Sequence, residues 1–227
     1  MDAVAAVHVV DDDPSFLTSL CRFLRAAGFT VIPCASGTDL LSRVSRETRG
    51  CIIADLQMPG IGGLELQKLL GGRGIALPMV FLTGQGDIPS SVRAMRDGAV
   101  DFLEKLAPRE TLLAAIVRAL QKDTEGRAAR LLVEDRRRRL AALTEREREV
   151  LGLVVRGLMN KQIAAQLGIH ERTVKLHRTA ITSKLGVHPV AQLALFASEA
   201  RLFEMLPPSQ REARPAWRTA GQLTRVP

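Results

Sequence analysis

No stretch of this chain approaches the roughly 18 consecutive apolar residues of a membrane span, so no membrane partner is expected. No secretory leader is expected either, because Asp2 and the run Asp11-Asp12-Asp13 interrupt any hydrophobic segment near the start. Cysteine is scarce. Cys21, Cys34 and Cys51 are an odd number without metal-ligand spacing, and each falls in a helical or strand-like segment. Buried, reduced thiols in a cytoplasmic protein are the expectation. Excess charge is also missing from the first half, where residues 1–123 carry 13 Lys/Arg against 14 Asp/Glu. Residues 124–227 carry 19 against 10, so the formal charge of +8 resides entirely in the second half. A neutral front half joined to a basic back half points to a regulated module carrying a polyanion-binding one.

What is present is enough for two domains with real cores: 227 residues, 46% of them hydrophobic. The front half alternates short apolar runs with amphipathic stretches. Val7 to Val10, Thr30 to Pro33, Cys51 to Ala54, Met79 to Leu82 and Val100 to Leu103 read as strands. Helical stretches lie between them, at Pro14 to Ala27, through Leu40, Leu41 and Val44, around Leu64 to Leu70, and at Val92 to Met95. A fifth, Pro108 to Leu120, completes five β/α units. Such alternation predicts an α/β fold, a doubly wound parallel sheet with right-handed crossovers.

Polar residues stand where the apolar runs stop. Asp11 and Asp12 follow Val-His-Val-Val, Asp55 follows Cys-Ile-Ile-Ala, Thr83 follows Met-Val-Phe-Leu, and Lys105 follows Asp-Phe-Leu-Glu. If each run is a buried parallel strand, all five side chains emerge at one sheet edge, where open α/β sheets bind ligands. In a 2-1-3-4-5 strand order the acids lie at the point where that order reverses. Three carboxylates held close together repel, and a hard, oxygen-seeking cation relieves that repulsion. The set therefore predicts a site for Mg²⁺ and a phosphoryl group. The plainer reading of Asp11 and Asp12 is helix capping before Pro14, and capping is the only role expected of Asp13.

As a set, Val-Val-Asp11-Asp12, Asp55 before Met58-Pro59-Gly60, Thr83-Gly84, Gly98-Ala99 and Phe102-Leu-Glu-Lys105 resemble the receiver domain of two-component response regulators. The resemblance covers residues 1–122 and implies a flavodoxin-like, five-stranded sheet. It also implies that Asp55 accepts a phosphoryl group from a histidine kinase. Asp12 and Asp55 would ligate Mg²⁺ directly, Asp11 largely through water, and Gln57 through its backbone carbonyl. Lys105 would pair with the phosphoryl oxygens, Thr83 would turn to hydrogen-bond them, and Phe102 would swing into the vacated space. The chain departs from the family at Leu106, where a proline in a cis peptide usually follows the lysine. A non-proline cis bond costs roughly 2.5 to 4 kcal/mol, so either the bond is trans and Lys105 sits differently, or the strain is tolerated. This departure supports the alternative of a degenerate receiver that regulates DNA without phosphorylation. A metal-dependent phosphatase using the same acids is a further alternative.

Residues 123–142, rich in Arg, Glu and Ala, read as a helical linker with a possible sticky stripe at Leu131, Leu132, Leu140 and Leu143. The remainder reads as all-α. Thr144 and Glu147 have capping-box spacing, Asn160 can cap a second helix, and Gly168 allows a sharp turn. A third helix is predicted from about Thr173 to Leu185 and a fourth from Pro189 to Phe203, followed by a basic tail over 207–227. Residues 143–206 resemble the LuxR-type DNA-binding domain, carried by Leu-Thr144-Glu-Arg-Glu, Asn160-Lys-Gln-Ile-Ala164 and Thr173-Val-Lys175-Leu-His177. Ala164, Gly168 and Val174 have helix-turn-helix spacing.

The resemblance implies that the helix from Thr173 enters the major groove of double-stranded promoter DNA. Lys175 is the first candidate for a base or phosphate contact. Leu176 and Thr179 can touch base edges or thymine methyls, and His177, Arg178 and Lys184 can hold phosphates. The alternative for Thr173 is a helix cap alone, and for Lys161 a solvated helix charge. Together the halves resemble the NarL/FixJ family, which implies a phosphorylation-induced homodimer in which Arg96 and Asp101 pair across the interface.

Overall fold

The computed structural model describes residues 4–84 and 88–187. The chain divides into two compact units, Met1–Ala128 and Ala129–Pro227.

The first unit is built on five strands: β1 (Ala6–Val10), β2 (Val31–Cys34), β3 (Gly50–Asp55), β4 (Met79–Thr83) and β5 (Asp101–Glu104). Every ladder is parallel and the order is β2-β1-β3-β4-β5. This is the doubly wound sheet the alternation predicts, reversing at the β1/β3 pair. β1, β3 and β4 are buried throughout, which is why their sequences read as nearly continuous apolar runs, interrupted inside only by His8. β3 and β4 extend past those runs to include Asp55 and Thr83. Ladder hydrogen bonds belong to the backbone, so pairing continues after the side chains turn polar.

Helices α1 (Pro14–Ala26), α2 (Gly37–Arg43), α3 (Gly63–Gly72), α4 (Ile88–Arg96) and the start of α5 (Arg109–Ala141) alternate with the strands. Val10, Leu40, Ile52, Leu66 and Phe81 form one core layer, and Val7, Leu24, Ile53, Val80 and Ile116 form the other. Burying each such side chain contributes about 1.5–3 kcal/mol. Asp13 caps α1 by accepting from the Ser15 and Phe16 N–H groups at 2.8 and 3.2 Å, with Pro14 opening the helix. All three cysteines are buried thiols. Burial raises Cys21 above its ordinary value and pushes Cys34 to about 11 and Cys51 to about 12. His8 is buried too, with neither ring nitrogen hydrogen-bonded, and burial pulls its pKa down.

α5 is one helix of 33 residues, so the fifth receiver-side helix and the linker are continuous. It is tied to the base of β3. The buried Asp123 carboxylate accepts from the Gly50 N–H at 2.9 Å and from Arg127 Nε at 2.9 and 3.0 Å. The Arg127 guanidinium also donates to the Thr48 carbonyl. Gly50 cannot be replaced here, because φ is +122° and a Cβ would lie 1.8 Å from the Ala6 carbonyl oxygen. The stripe expected on the linker is split: Leu131 and Leu132 are exposed, whereas Leu140 and Leu143 are buried in the second unit's core.

That core joins α6 (Glu145–Val155), α7 (Asn160–Leu167) and α8 (Glu171–Leu185) through Val150, Leu151, Ile163, Val174 and Ile181. The capping box is complete: Glu147 N–H donates to Thr144 Oγ1 at 3.2 Å, and Thr144 N–H to Glu147 Oε2 at 2.7 Å. Gly168 ends α7 in the left-handed region, at φ +64°. Two capping expectations are corrected. Asn160 is the first helical residue of α7, and its Oδ1 accepts from Arg178 at 2.8 Å. α8 begins at Glu171, so Thr173 lies within its first turn and caps nothing. The expected helix from Pro189 to Phe203 and the tail lie outside the described residues.

The Asp123 clamp sets a testable stability. Asp123→Ala strands the Gly50 N–H and the Arg127 guanidinium, and is expected to destabilise the first unit by about 2–3 kcal/mol. Urea unfolding of the full chain followed by circular dichroism reads this, and an unchanged first-unit midpoint would count against the clamp.

Candidate functional site

The carboxyl ends of β1, β3, β4 and β5 bring the predicted rim residues together. Lys105 Nζ lies 2.7 Å from Asp11 Oδ2 and 2.9 Å from Asp55 Oδ2. Oxygen atoms of Asp11, Asp12 and Asp55 all come within 4.8 Å of one another. Asp11 and Asp55 are buried, while Asp12 is exposed. The Gln57 N–H donates to Asp55 Oδ1 at 3.3 Å, placing the loop after β3 against the carboxylate. Thr83 is buried at the end of β4, and its carbonyl accepts from the Lys105 N–H at 2.8 Å. Beside it, a Cβ on Gly84 would meet nothing within 4 Å. Phe102, half-buried and in register with Phe81, stands with its ring 6.3 Å from the Phe81 ring. Leu106 is 95% exposed, and Lys105 reaches both carboxylates despite it.

Burial pushes the Asp11 carboxyl above its usual range, against the opposing hydrogen bonds from Lys105 and the Asp13 N–H. Burial also pulls the Lys105 ammonium down, but its bonds to Asp11 and Asp55 outweigh this and raise it overall. Three carboxylates gathered around one ammonium leave the pocket short of positive charge. An all-oxygen donor set with that deficit fits a hard divalent cation such as Mg²⁺.

The dimerisation candidates lie on α4 and β5. Arg96 closes α4, where Ile88, Val92 and Met95 are exposed at one helical face. Asp101 is paired with Arg118 of α5 and accepts from the Phe102 N–H at 2.9 Å.

In the second unit, Val174, Ile181 and Leu185 bury one face of α8. Arg172, Lys175, Leu176, Thr179 and Ser183 are exposed at the spacing of a single outer face. Lys175 has only a loose pairing with Glu171 at 3.8 Å, and Leu176 is 65% exposed. Thr179 Oγ1 donates to the Lys175 carbonyl at 3.1 Å, and His177 is half-buried. The other two candidates have partners inside the unit. Arg178 donates to Asn160, and Lys184 Nζ to Glu147 Oε1 and Oε2 at 2.9 and 2.7 Å. Arg139, near the end of α5, donates to the Leu185 carbonyl at 3.0 Å and so holds the end of α8.

An acidic rim on a 2-1-3-4-5 sheet, followed by a helix-turn-helix, defines a receiver joined to a DNA-binding module. Residues 7–117 match the response regulator receiver domain, and residues 141–197 match the bacterial regulatory proteins of the luxR family. Nodulation protein W of Bradyrhizobium diazoefficiens is 40% identical over 189 residues, 83% of either chain. Transcriptional regulatory protein FixJ of Azorhizobium caulinodans is 40% identical over 196 residues, 84% of this chain and 90% of that one. The solved structure of response regulator StyR has a TM-score of 0.79 at 44% identity, covering 87% of this chain and 100% of that one. The chain belongs to the NarL/FixJ family of response regulators, transcriptional regulators that join a receiver domain to a LuxR-type DNA-binding domain. No described helix is long and apolar enough to cross a membrane.

Sequence reading missed Arg118, Arg139 and the pairing of Glu147 with Lys184. That last pair carries a pH signature. The Lys184 hydrogen bond leads the effects that hold the Glu147 carboxyl below its usual range. A depressed folded-state value adds stability above the unfolded value and loses it as pH falls through the folded one. The second unit is therefore expected to lose thermal stability below an ordinary glutamate's 4.5 more steeply than a Glu147→Gln variant. Parallel melting curves against pH would refute this.

Proposed function

We propose that this response regulator is switched by phosphoryl transfer from a histidine kinase to Asp55. The observation that carries the reading is the Asp55 carboxylate 2.9 Å from Lys105 Nζ, with Asp11 and Asp12 beside it. One Asp55 oxygen attacks the phosphorus of a phosphohistidine. The new O–P bond forms as the P–N bond breaks, and the imidazole nitrogen keeps the electron pair. Asp12, Asp55 and the Gln57 carbonyl, with Asp11 through water, would hold Mg²⁺. Its charge offsets that of the transferring group.

Lys105 moves from pairing with Asp55 to pairing with phosphoryl oxygens, keeping a cation on the added charge of about −1.5 to −2. Its backbone bond to Thr83 links the strand ends that respond. Thr83 turns its hydroxyl to the phosphoryl group and Phe102 follows inward. The changed α4–β5 face, with the apolar stripe of Ile88, Val92 and Met95, then favours a homodimer. Arg96 can reach across that interface to Asp101 only in competition with Arg118.

Residues 1–122 form the receiver, 123–142 the linker and 143–206 the DNA-binding domain. A dimer presents two copies of α8 to promoter half-sites roughly 34 Å apart. Lys175, Leu176 and Thr179 meet base edges or adjoining phosphates, and His177 lies at the margin of that surface. Arg178 and Lys184 reach phosphates only to the extent that they leave Asn160 and Glu147. The protein works as a cytoplasmic switch and not as an enzyme with turnover on external substrates.

Two outcomes test this reading. Treatment with acetyl phosphate and Mg²⁺ is expected to label Asp55 once per chain and raise the dimer fraction. Asp55→Asn is expected to abolish both effects while leaving the fold intact. An unchanged dimer fraction in the wild type favours the phosphorylation-independent regulator, and sustained turnover of varied phosphoesters favours the phosphatase. On DNA, Lys175→Ala is expected to weaken binding and lower the slope of log affinity against log salt by about 1. Equal binding at every salt concentration would remove Lys175 from the interface.

A further inference from the structure

Lys105 has a neighbour outside the acid cluster: its Nζ lies over the ring of Phe16, 4.3 Å from the centroid. We propose that Phe16 is a positioning residue for phosphoryl transfer, holding the Lys105 ammonium at the sheet rim through a cation–π contact while its carboxylate partners change. The proposal rests on the phosphoacceptor reading of Asp55 given above.

The backbone of Lys105 is fixed by its bond to the Thr83 carbonyl at 2.8 Å, but the flexible stem beyond it is not. Asp11 and Asp55 aim that stem in the present arrangement. Their oxygens are also the atoms that a divalent cation and an incoming phosphorus would claim. An ammonium held only by them would lose its guides at the moment it is needed. The Phe16 ring offers a negative face without a net charge and without a ligand atom, so it attracts the ammonium and competes for nothing else.

Its placement is fixed locally. The Phe16 N–H is bonded to Asp13 Oδ1 at 3.2 Å, Pro14 opens the helix, and the ring packs at the edge of the core layer that contains Leu20 and Ile116. The Asp13 N–H donates to Asp11 Oδ1 at 3.0 Å, so the turn that places the ring is keyed to one of the acids that share the lysine.

Two variants of the full chain separate positioning from packing. Phe16→Leu fills similar space without an aromatic face, and Phe16→Tyr keeps the face. The first readout is the proton shift of the Lys105 ε-methylene in metal-free protein, which the ring moves upfield. The shift is expected in wild type and Phe16→Tyr, and lost in Phe16→Leu. The second is the rate of labelling by acetyl phosphate at saturating Mg²⁺. Phe16→Leu is expected to lower the maximal rate about three- to tenfold with little change in half-saturation by the donor, and Phe16→Tyr to stay within about twofold of wild type. A ring-shifted methylene that survives Phe16→Leu would overturn the proposal, as would an unchanged maximal rate, or equal losses in both variants. If wild-type protein takes no phosphoryl group at all, the Asp55 reading falls, and the proposal's role in transfer falls with it. The shift measurement still shows whether Phe16 holds Lys105.

Discussion

The first unit depends on one ammonium group at the rim of its sheet. Lys105, just past β5, binds Asp11 at the end of β1 and Asp55 at the end of β3, so charge joins the ends of three strands. The joining is incomplete. Three carboxylates and one lysine leave an excess of negative charge, and burial makes it costlier by raising the Asp11 carboxyl. A cation or phosphoryl group entering that site would compete for the carboxylate partners of Lys105. Thr83 and Phe102 adjoin that lysine, one through its backbone bond to Lys105 and the other three residues before the lysine in the chain.

In the second unit the cations of α8 have different tasks. Arg178 and Lys184 tie α8 to α7 and α6 through Asn160 and Glu147, while Arg139 of α5 holds the carbonyl end of the same helix. Lys175 keeps only a loose partner and faces outward. The outer face is thereby narrow, with Leu176 and Thr179 beside the lysine. Leu176 stands exposed on that otherwise polar face.

The strand order and the rim were legible in sequence because a buried parallel strand leaves an unbroken apolar run and a polar residue where it emerges. The capping box and the turn at Gly168 were legible because they are local patterns. What escaped was long-range polar pairing. Asp123 and Arg127 look like an ordinary exposed helical pair, and only the fold brings Gly50 and Thr48 to them. Glu147 and Lys184 lie 37 positions apart, and no spacing rule joins them. Asn160 and Thr173 are residue types that favour caps, yet each helix starts earlier than a cap at those positions would require. Phe16 carries the periodicity of a core residue, and nothing in sequence sets its ring against Lys105.

The buried thiols give the molecule a selectivity of its own. Nucleophilic sulfur is thiolate sulfur, and with Cys34 near 11 and Cys51 near 12 almost none exists at neutral pH. The burial that keeps these sulfurs protonated also shields them from peroxide and electrophiles in the surrounding water.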